Sequence, residues 1–502
     1  MRILFWHGYL LAGSGSNLLA ANLVRVWRSQ GHEVLLLCQD RAAAQLPFVD
    51  AAGAFAPDNA RCDLTATGHS AAAGSLAVAC PDIGGLLPVY VYDHYSGFEV
   101  KTFLDLTDAE LGSYVTANVT ALVTAAGEHR PDVIVVGHEV MGPYIARLAA
   151  RQTGYGYTAL IHGSATLFVV SKQQRYVRYA RDGLAGATAV VGGTGAVVAK
   201  TEQAIGTPIS SVHVINPGCN VELFGPVERA GDAPPTAGYV GKFIASKGVQ
   251  NLLTALGLTT TPGLRCQIVG FDTLEPTLHE LAAVLREHDP VAVRKVIETA
   301  PEPLADVAAF LDSQTPDDSY GDRIREVSLT WLGRLEHEAL SAVLPQFDVL
   351  VVPSVAPEAF GMVAAEAAAA GVLPIVANHT GLAEVGAAIE SELVTLGVPG
   401  LATFDPADPI RGIARCLDAY FALGSADRAE ISLRLIALAR RQWSWDVVAQ
   451  RLLAVAAGSA SRRRKAVVRM RARMADRSTL TAVDVVESMR EIRDERSRGP
   501  LA

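Results

Sequence analysis

The strongest constraint on the fold of this chain is an alternation that runs twice. Short apolar runs, several ending in glycine, alternate with stretches of helical periodicity, and the pattern restarts near the middle of the sequence. In the first half the runs are Arg2-Ile3-Leu4-Phe5-Trp6, Val34 to Leu37, 131–137 (PDVIVVG), 157–163 (YTALIHG), 187–193 (ATAVVGG) and 212–218 (VHVINPG). Between the first two lie a turn, Gly13 to Asn17, and then Leu19, Leu23, Val26 and Trp27 at helical spacing, stopped at Gly31-His32. Uninterrupted apolar strands joined by helices imply a parallel sheet covered on both faces. Residues 225–236 (GPVERAGDAPPT) concentrate Pro, Gly and charge and read as a linker. The runs resume at 237–243, 266–271, 327–333, 347–354 and 372–378. The fold class is therefore α/β, with two Rossmann-like doubly wound domains in tandem.

The domain plan is an N-terminal domain over 1–224, the linker 225–236, a second domain over 237–440, a helix over 441–458 and a tail over 459–502. Residues 284–326, charged and broken by proline, read as an insertion. Within it Asp317-Asp318-Ser319-Tyr320-Gly321-Asp322 lacks the spacing and closing Glu of a calcium loop and reads as a solvated loop. The tail is basic, with eight Lys or Arg and one Asp over 461–477. Thr481 could cap a helix with Asp484, and Val485, Met489 and Ile492 make a stripe. An anionic membrane surface, a second subunit and solvated disorder all fit that tail.

Half the residues are apolar, so two sizeable cores are within reach, and the net charge of −9 argues against generic nucleic-acid binding. The six cysteines form no C-x-x-C pair, which suggests neither a zinc knuckle nor a redox motif, and scattered thiols fit a reducing cytoplasm. No small-residue cleavage site follows the apolar N-terminus, and no apolar run reaches about 18 residues. The expectation is a cytoplasmic protein, with the tail as the one segment suited to the inner membrane surface.

Ligands of doubly wound domains bind beyond the C-terminal ends of the strands, here expected to face across an interdomain cleft. Four segments stand there. Gly13-Ser14-Gly15-Ser16 precedes a helix, and backbone N–H groups at such a point suit a phosphate; an ordinary tight turn fits equally well. VGKFIASKG (240–248) places two of only seven lysines, Lys242 and Lys247, on one post-strand loop, which suits a diphosphate. PEAFGMVAAEAAAAG (357–371) puts Glu358 before a short helix and Glu366 inside it. A carboxylate in an alanine-rich helix needs a partner, and a ribose diol offers two donors. TALIHGSATLF (158–168) sets His162 at a strand end.

Together these pieces resemble glycosyltransferase family 4 of the GT-B superfamily, over about residues 1–457. The matching segments are the glycine loop, His162-Gly163, NPGCNVELF (216–224), VGKFIASKG, WLGRLEHEAL (331–340) and E-x7-E from Glu358 to Glu366. RQWSWDVVAQRLL (441–453) is similar to the family's closing helix, which crosses back onto the N-terminal domain. The resemblance implies a retaining hexosyltransferase that takes a nucleoside-diphosphate sugar as co-substrate, with neither metal nor other cofactor. It implies that Lys242, where the family usually has Arg, and Lys247 hold the diphosphate, and that Gly15 lies near it. Glu366 binds the ribose, Leu335 approaches the base, and Glu358 with the backbone of Phe360, Gly361 and Met362 holds the sugar. His162 stands beside the anomeric carbon, so His162, Glu358 and Lys247 form the catalytic set. Tyr9, Asn17, His138 and Glu139 are the candidates for the acceptor side. The same fold also suits a nucleotide-sugar epimerase, a phosphorylase or a non-catalytic nucleotide-sugar binder, and neither base, sugar nor acceptor follows from the sequence.

Overall fold

The computed structural model describes residues 1–69, 73–227, 233–313 and 318–475. The chain divides into two compact units, Met1–Asn216 with Val448–Ala502, and Pro217–Val447.

The first unit carries β1 (Arg2–Trp6), β2 (Glu33–Leu37), β3 (Ala51–Phe55), β4 (Cys62–Ala66), β5 (Ser75–Cys80), β6 (Leu86–Val89), β7 (Glu99–Thr102), β8 (Val133–Gly137), β9 (Thr158–Ile161), β10 (Ala189–Gly192) and β11 (Val212–Val214). Nine of these make one sheet in the order β11-β10-β9-β8-β1-β2-β5-β3-β4, and β6 pairs with β7 apart from it. Every pairing in the large sheet is parallel except β3 with β4. All five residues of β8 are buried, the pattern of a strand with helices on both faces. The second unit carries β12 (Thr236–Val240), β13 (Arg265–Val269), β14 (Ser328–Gly333), β15 (Val349–Val352), β16 (Leu373–Ala377) and β17 (Thr403–Phe404). They form one parallel sheet in the order β14-β13-β12-β15-β16-β17. The expected pair of doubly wound units is present.

Two findings depart from the sequence reading. The segment around 318–322 is not a solvated loop: Asp318–Glu326 is a helix, and its Tyr320 is buried and donates its hydroxyl to the Thr254 carbonyl at 2.9 Å. Tyr320 and Ile324, four residues apart, supply an apolar face that the surrounding charges conceal. With Pro290–Thr299 and Ala305–Ser313 this helix packs Val293, Val296, Val307 and Phe310 into the core of the second unit. The second departure is at the C-terminus. One helix closes at Gln442 and another, Trp445–Ala475, runs through the point where the tail was expected to begin. From Val448 onward it belongs to the first unit, where Trp27 donates its indole N–H to the Ala449 carbonyl at 3.1 Å and Arg463 donates to the Tyr155 carbonyl at 3.1 Å. The Thr481 cap and the stripe of Val485, Met489 and Ile492 lie outside the described residues.

In the first unit the helix Gly15–Ser29 is tied to the sheet by Arg28, whose guanidinium donates to both oxygens of Asp50 at 2.5 and 2.7 Å. The Leu76 N–H donates to the same carboxylate at 2.8 Å. Both side chains are largely buried, and the Arg28 contact holds the Asp50 carboxyl below its ordinary range. Removing one partner of such a pair strands the other. Asp50→Ala should therefore cost the first unit about 3 kcal/mol of unfolding free energy, read by urea denaturation.

Candidate functional site

In the second unit the strand order reverses between β12 and β15, with β13 and β14 to one side and β16 and β17 to the other. That reversal opens a crevice beyond the two strand ends, where the connecting loops diverge. The loop after β12 carries Lys242 and Lys247; the loop after β15 carries Glu358 and enters the helix Met362–Ala369. The two loops are fastened by their backbones. Val355 and Ala356 both donate N–H to the Ser246 carbonyl, at 2.9 and 3.1 Å. Gly248 has φ +74°, and a Cβ there would sit 1.9 Å from the Pro353 carbonyl oxygen, so only glycine allows this approach.

The fastening sets cation against anion. The Lys247 ammonium donates to Oε1 of Glu358, and the Ser354 hydroxyl donates to the same oxygen at 2.7 Å. The Glu358 backbone is held as well: its N–H donates to Thr380 Oγ1 at 3.0 Å, and its carbonyl accepts from the Gly381 N–H at 3.0 Å. His379, after β16, braces the loop after β15, with Nε2 donating to the Ser354 carbonyl at 2.6 Å and Nδ1 3.0 Å from Thr380 Oγ1. A carbonyl only accepts, so Nε2 carries a proton. Ser354, His379 and Thr380 are absent from the sequence-derived site; no charge or spacing marks them.

Lys242 lies apart from this pair. It is mostly exposed and its ammonium is 3.6 Å from Asp272, a partner the sequence did not suggest. Phe360 is buried, edge-on to Trp443 at 6.1 Å. Gly361, at φ +101°, caps the helix that starts at Met362, and a Cβ there would meet Leu382 at 2.4 Å. Glu366 is only 6% exposed, as the alanine-rich surroundings required. Its ionisable neighbour is His337, with Nε2 3.8 Å from Oε1, and that carboxylate raises the imidazole's pKa. Leu335 is half-buried in the loop after β14.

In the first unit the order reverses between β1 and β8. His7, His138 and His162 follow β1, β8 and β9, three neighbouring strands. The rings of His7 and His138 stack at 5.5 Å, and His138 meets His162 edge-on at 4.8 Å. Tyr9 and Tyr90 close around His138 at 5.1 and 5.0 Å. Burial pulls His7 down to about 4 and His162 to about 3, and pulls His138 well below its ordinary value. The cluster is therefore neutral at pH 7. His7 Nε2 meets Asn17 Oδ1 at 2.9 Å, and Asn17 Nδ2 donates to the Ala12 carbonyl at 2.6 Å. Both ring nitrogens of His138 are buried without a hydrogen-bond partner among the described residues. Burial pushes the Glu139 carboxyl up to about 7, and its Oε1 accepts from the Gly163 N–H at 2.5 Å, beside His162. Tyr9, Asn17, His138 and Glu139, the acceptor-side candidates, are 7%, 2%, 1% and 0% exposed, so at most a small part of the first three reaches the surface and none of Glu139 does. Gly15 is exposed at the start of its helix, behind the Ser14 cap.

Known proteins share this architecture. The Rickettsia africae ESF-5 glycosyltransferase is 14% identical, with a TM-score of 0.56 over 91% of this chain and 98% of that one. Anabaena Alr3699/HepE in complex with UDP is 15% identical, with a TM-score of 0.54 over 90% and 98%. The sucrose-phosphate synthase of Thermosynechococcus elongatus is 16% identical, with a TM-score of 0.51 over 90% and 97%. These are GT-B proteins, and the chain has the GT-B fold. Residues 322–394 match the family model described as glycosyl transferases group 1, a stretch that holds Leu335, Glu358, Phe360, Gly361, Met362 and Glu366. No curated protein matches the chain in sequence. No described helix is long and apolar enough to cross a membrane.

The histidine cluster has a consequence for stability. Unfolded imidazoles take up protons below 6.5, whereas His7 and His162 do so only near 4 and 3. Their stabilising contribution is full above pH 6.5 and is lost as pH falls towards 4. Glu139, raised to about 7, acts in the opposite sense, losing its contribution as pH rises from 4.5 to 7, but it is one group against three. The melting temperature of the first unit should fall between pH 6.5 and 4. His138→Phe, which keeps a ring between the two tyrosines, should make that fall shallower by about one proton.

Proposed function

We propose that this chain is a retaining, metal-independent glycosyltransferase of the family 4 type, moving a hexose-type sugar from a nucleoside-diphosphate sugar to an acceptor hydroxyl. The observation that carries the reading is the pairing of Lys247 with Glu358 at the strand-order reversal of the second unit, eight residues before the buried Glu366. The match over 322–394 and the GT-B relatives support it, and the titles of two HepE structures name UDP-glucose or UDP with glucose.

In this reading Lys247 and Lys242 offset the charge of the diphosphate, so no divalent cation is needed for it. Glu366 takes the ribose diol, and Leu335 lies against the base. Glu358 accepts a sugar hydroxyl, while the N–H groups at Phe360, Gly361 and Met362 face the sugar and phosphate. The first unit recognises the acceptor, with Tyr9, Asn17, His138 and Glu139 as its candidate side chains. The neutral His162 ring suits an uncharged sugar hydroxyl better than a phosphate. The bond from the anomeric carbon to the phosphate oxygen breaks as the acceptor oxygen bonds on the same face. The departing phosphate takes the acceptor's proton. Glu358 is occupied with sugar hydroxyls, so no covalent glycosyl-enzyme forms; a double displacement needs a carboxylate behind the anomeric carbon. Rate comes from positioning and from stabilising the leaving group. Soluble acceptors react in the cytoplasm, without help from the basic tail.

Two measurements test this reading. Transfer in EDTA-treated buffer should give a fresh product whose proton NMR spectrum keeps the donor's anomeric configuration; inversion refutes the mechanism. Lys247→Ala should weaken donor binding by about 1.5–3 kcal/mol, roughly ten- to a hundredfold in Kd, while the protein still folds with a lowered melting temperature, because Glu358 keeps only the Ser354 hydroxyl. Unchanged donor affinity in that variant means the diphosphate lies elsewhere.

A further inference from the structure

We propose that the Lys247–Glu358 ion pair is a selection device, favouring a nucleoside diphosphate that still carries its sugar over the bare nucleoside diphosphate. The inference rests on the donor-site reading above and adds a rule for what that site accepts.

Lys247 already has an anionic partner within the protein, and Glu358 Oε1 takes both the ammonium and the Ser354 hydroxyl. A diphosphate that engages Lys247 must draw it from Glu358. The carboxylate, whose side chain is only 20% exposed, is then left with one neutral donor. A partly buried carboxylate that loses its cation is costly. The backbone offers little relief by movement. Glu358 is held through both its N–H and its carbonyl, and the lysine loop is fastened to the neighbouring loop at Ser246 and Gly248. What can relieve it is a new donor beside Glu358. A hexose brings several O–H donors; a bare diphosphate brings only acceptors. The exchange of partners is therefore compensated for the sugar-bearing donor and uncompensated for the spent nucleotide. Lys242 takes no part, since its anionic neighbour is Asp272.

The experiment is calorimetry in EDTA-treated buffer with UDP, GDP and ADP, each bare and as its glucose conjugate. The wild type should bind one conjugate at least about tenfold more tightly than its bare nucleotide. Glu358→Gln keeps the shape and an oxygen for Ser354 but removes the charge. It should bind the bare nucleotide about three- to tenfold more tightly than the wild type and the conjugate no better, so the preference shrinks. Relief of plain repulsion between carboxylate and diphosphate would also tighten bare-nucleotide binding. The Lys247→Ala background separates the two: partner exchange predicts no gain from Glu358→Gln there, whereas repulsion predicts the same gain. The proposal is overturned if Glu358→Gln leaves bare-nucleotide affinity at the wild-type value, or if the gain persists without Lys247. Glu358→Ala gives the same comparison if the glutamine variant does not fold. A wild type that binds none of the six compounds removes the donor-site reading, and this inference with it.

Discussion

The site in the second unit depends on one backbone contact: the Ser246 carbonyl accepting from two successive N–H groups, Val355 and Ala356. That contact brings together loops that are far apart in sequence. It is possible only because Gly248, in a left-handed conformation, presents no Cβ to Pro353. With the backbones fastened, Lys247 and Glu358 meet without either long side chain having to search for the other. Most of the ordering entropy is met by the main chain, which is why a partly exposed ion pair can be a defined feature here.

Much of this was legible in the sequence, for physical reasons. Buried parallel strands read as continuous apolar runs, and β1, β2, β8 to β11 and β12 to β16 were found that way. The strands β3 to β7 were not. β3, β4 and β7 are mostly half-exposed or exposed, and β5 and β6 are short runs interrupted by Ser, Ala or Pro, so none carries a strong periodic signal. The helix Asp318–Glu326 was missed because its two apolar contacts sit among aspartates and arginines. Lys247, Glu358 and Glu366 stood out because charge is rare near buried strand ends. Ser354, His379, Thr380 and Asp272 were not recoverable: small polar residues carry no periodic signal, and their importance lies in where the tertiary fold sets them. The burial of Glu366 was anticipated, but not that His337 would stand beside it.

The two units present opposite chemistry at equivalent places. Beyond the strand ends of the second unit, ionisable groups of opposite kind stand together: Lys247 with Glu358, Lys242 near Asp272, and the His337 imidazole near Glu366. Beyond those of the first, three imidazoles are packed together and kept uncharged by burial. A neutral imidazole offers one donor and one acceptor, the vocabulary of hydroxyl recognition, whereas paired charges can be reopened by a phosphate. The proposed division between a unit that handles an anionic nucleotide and one that handles an uncharged partner thus has its physical basis in solvation.

The helix Met362–Ala369 has a further property. Ala364, Ala365, Ala367, Ala368 and Ala369 are all at most 2% exposed, so beyond its first turn, Glu366 apart, only methyl groups separate its backbone from its neighbours. Methyls have no rotamers to lose on folding and none to exchange afterwards. That stretch therefore lacks the side-chain repacking by which larger residues let an element tilt or slide. Its N-terminal amides form a stiff frame of reference, and any give at this edge has to come from the loop ahead of it, not from the helix.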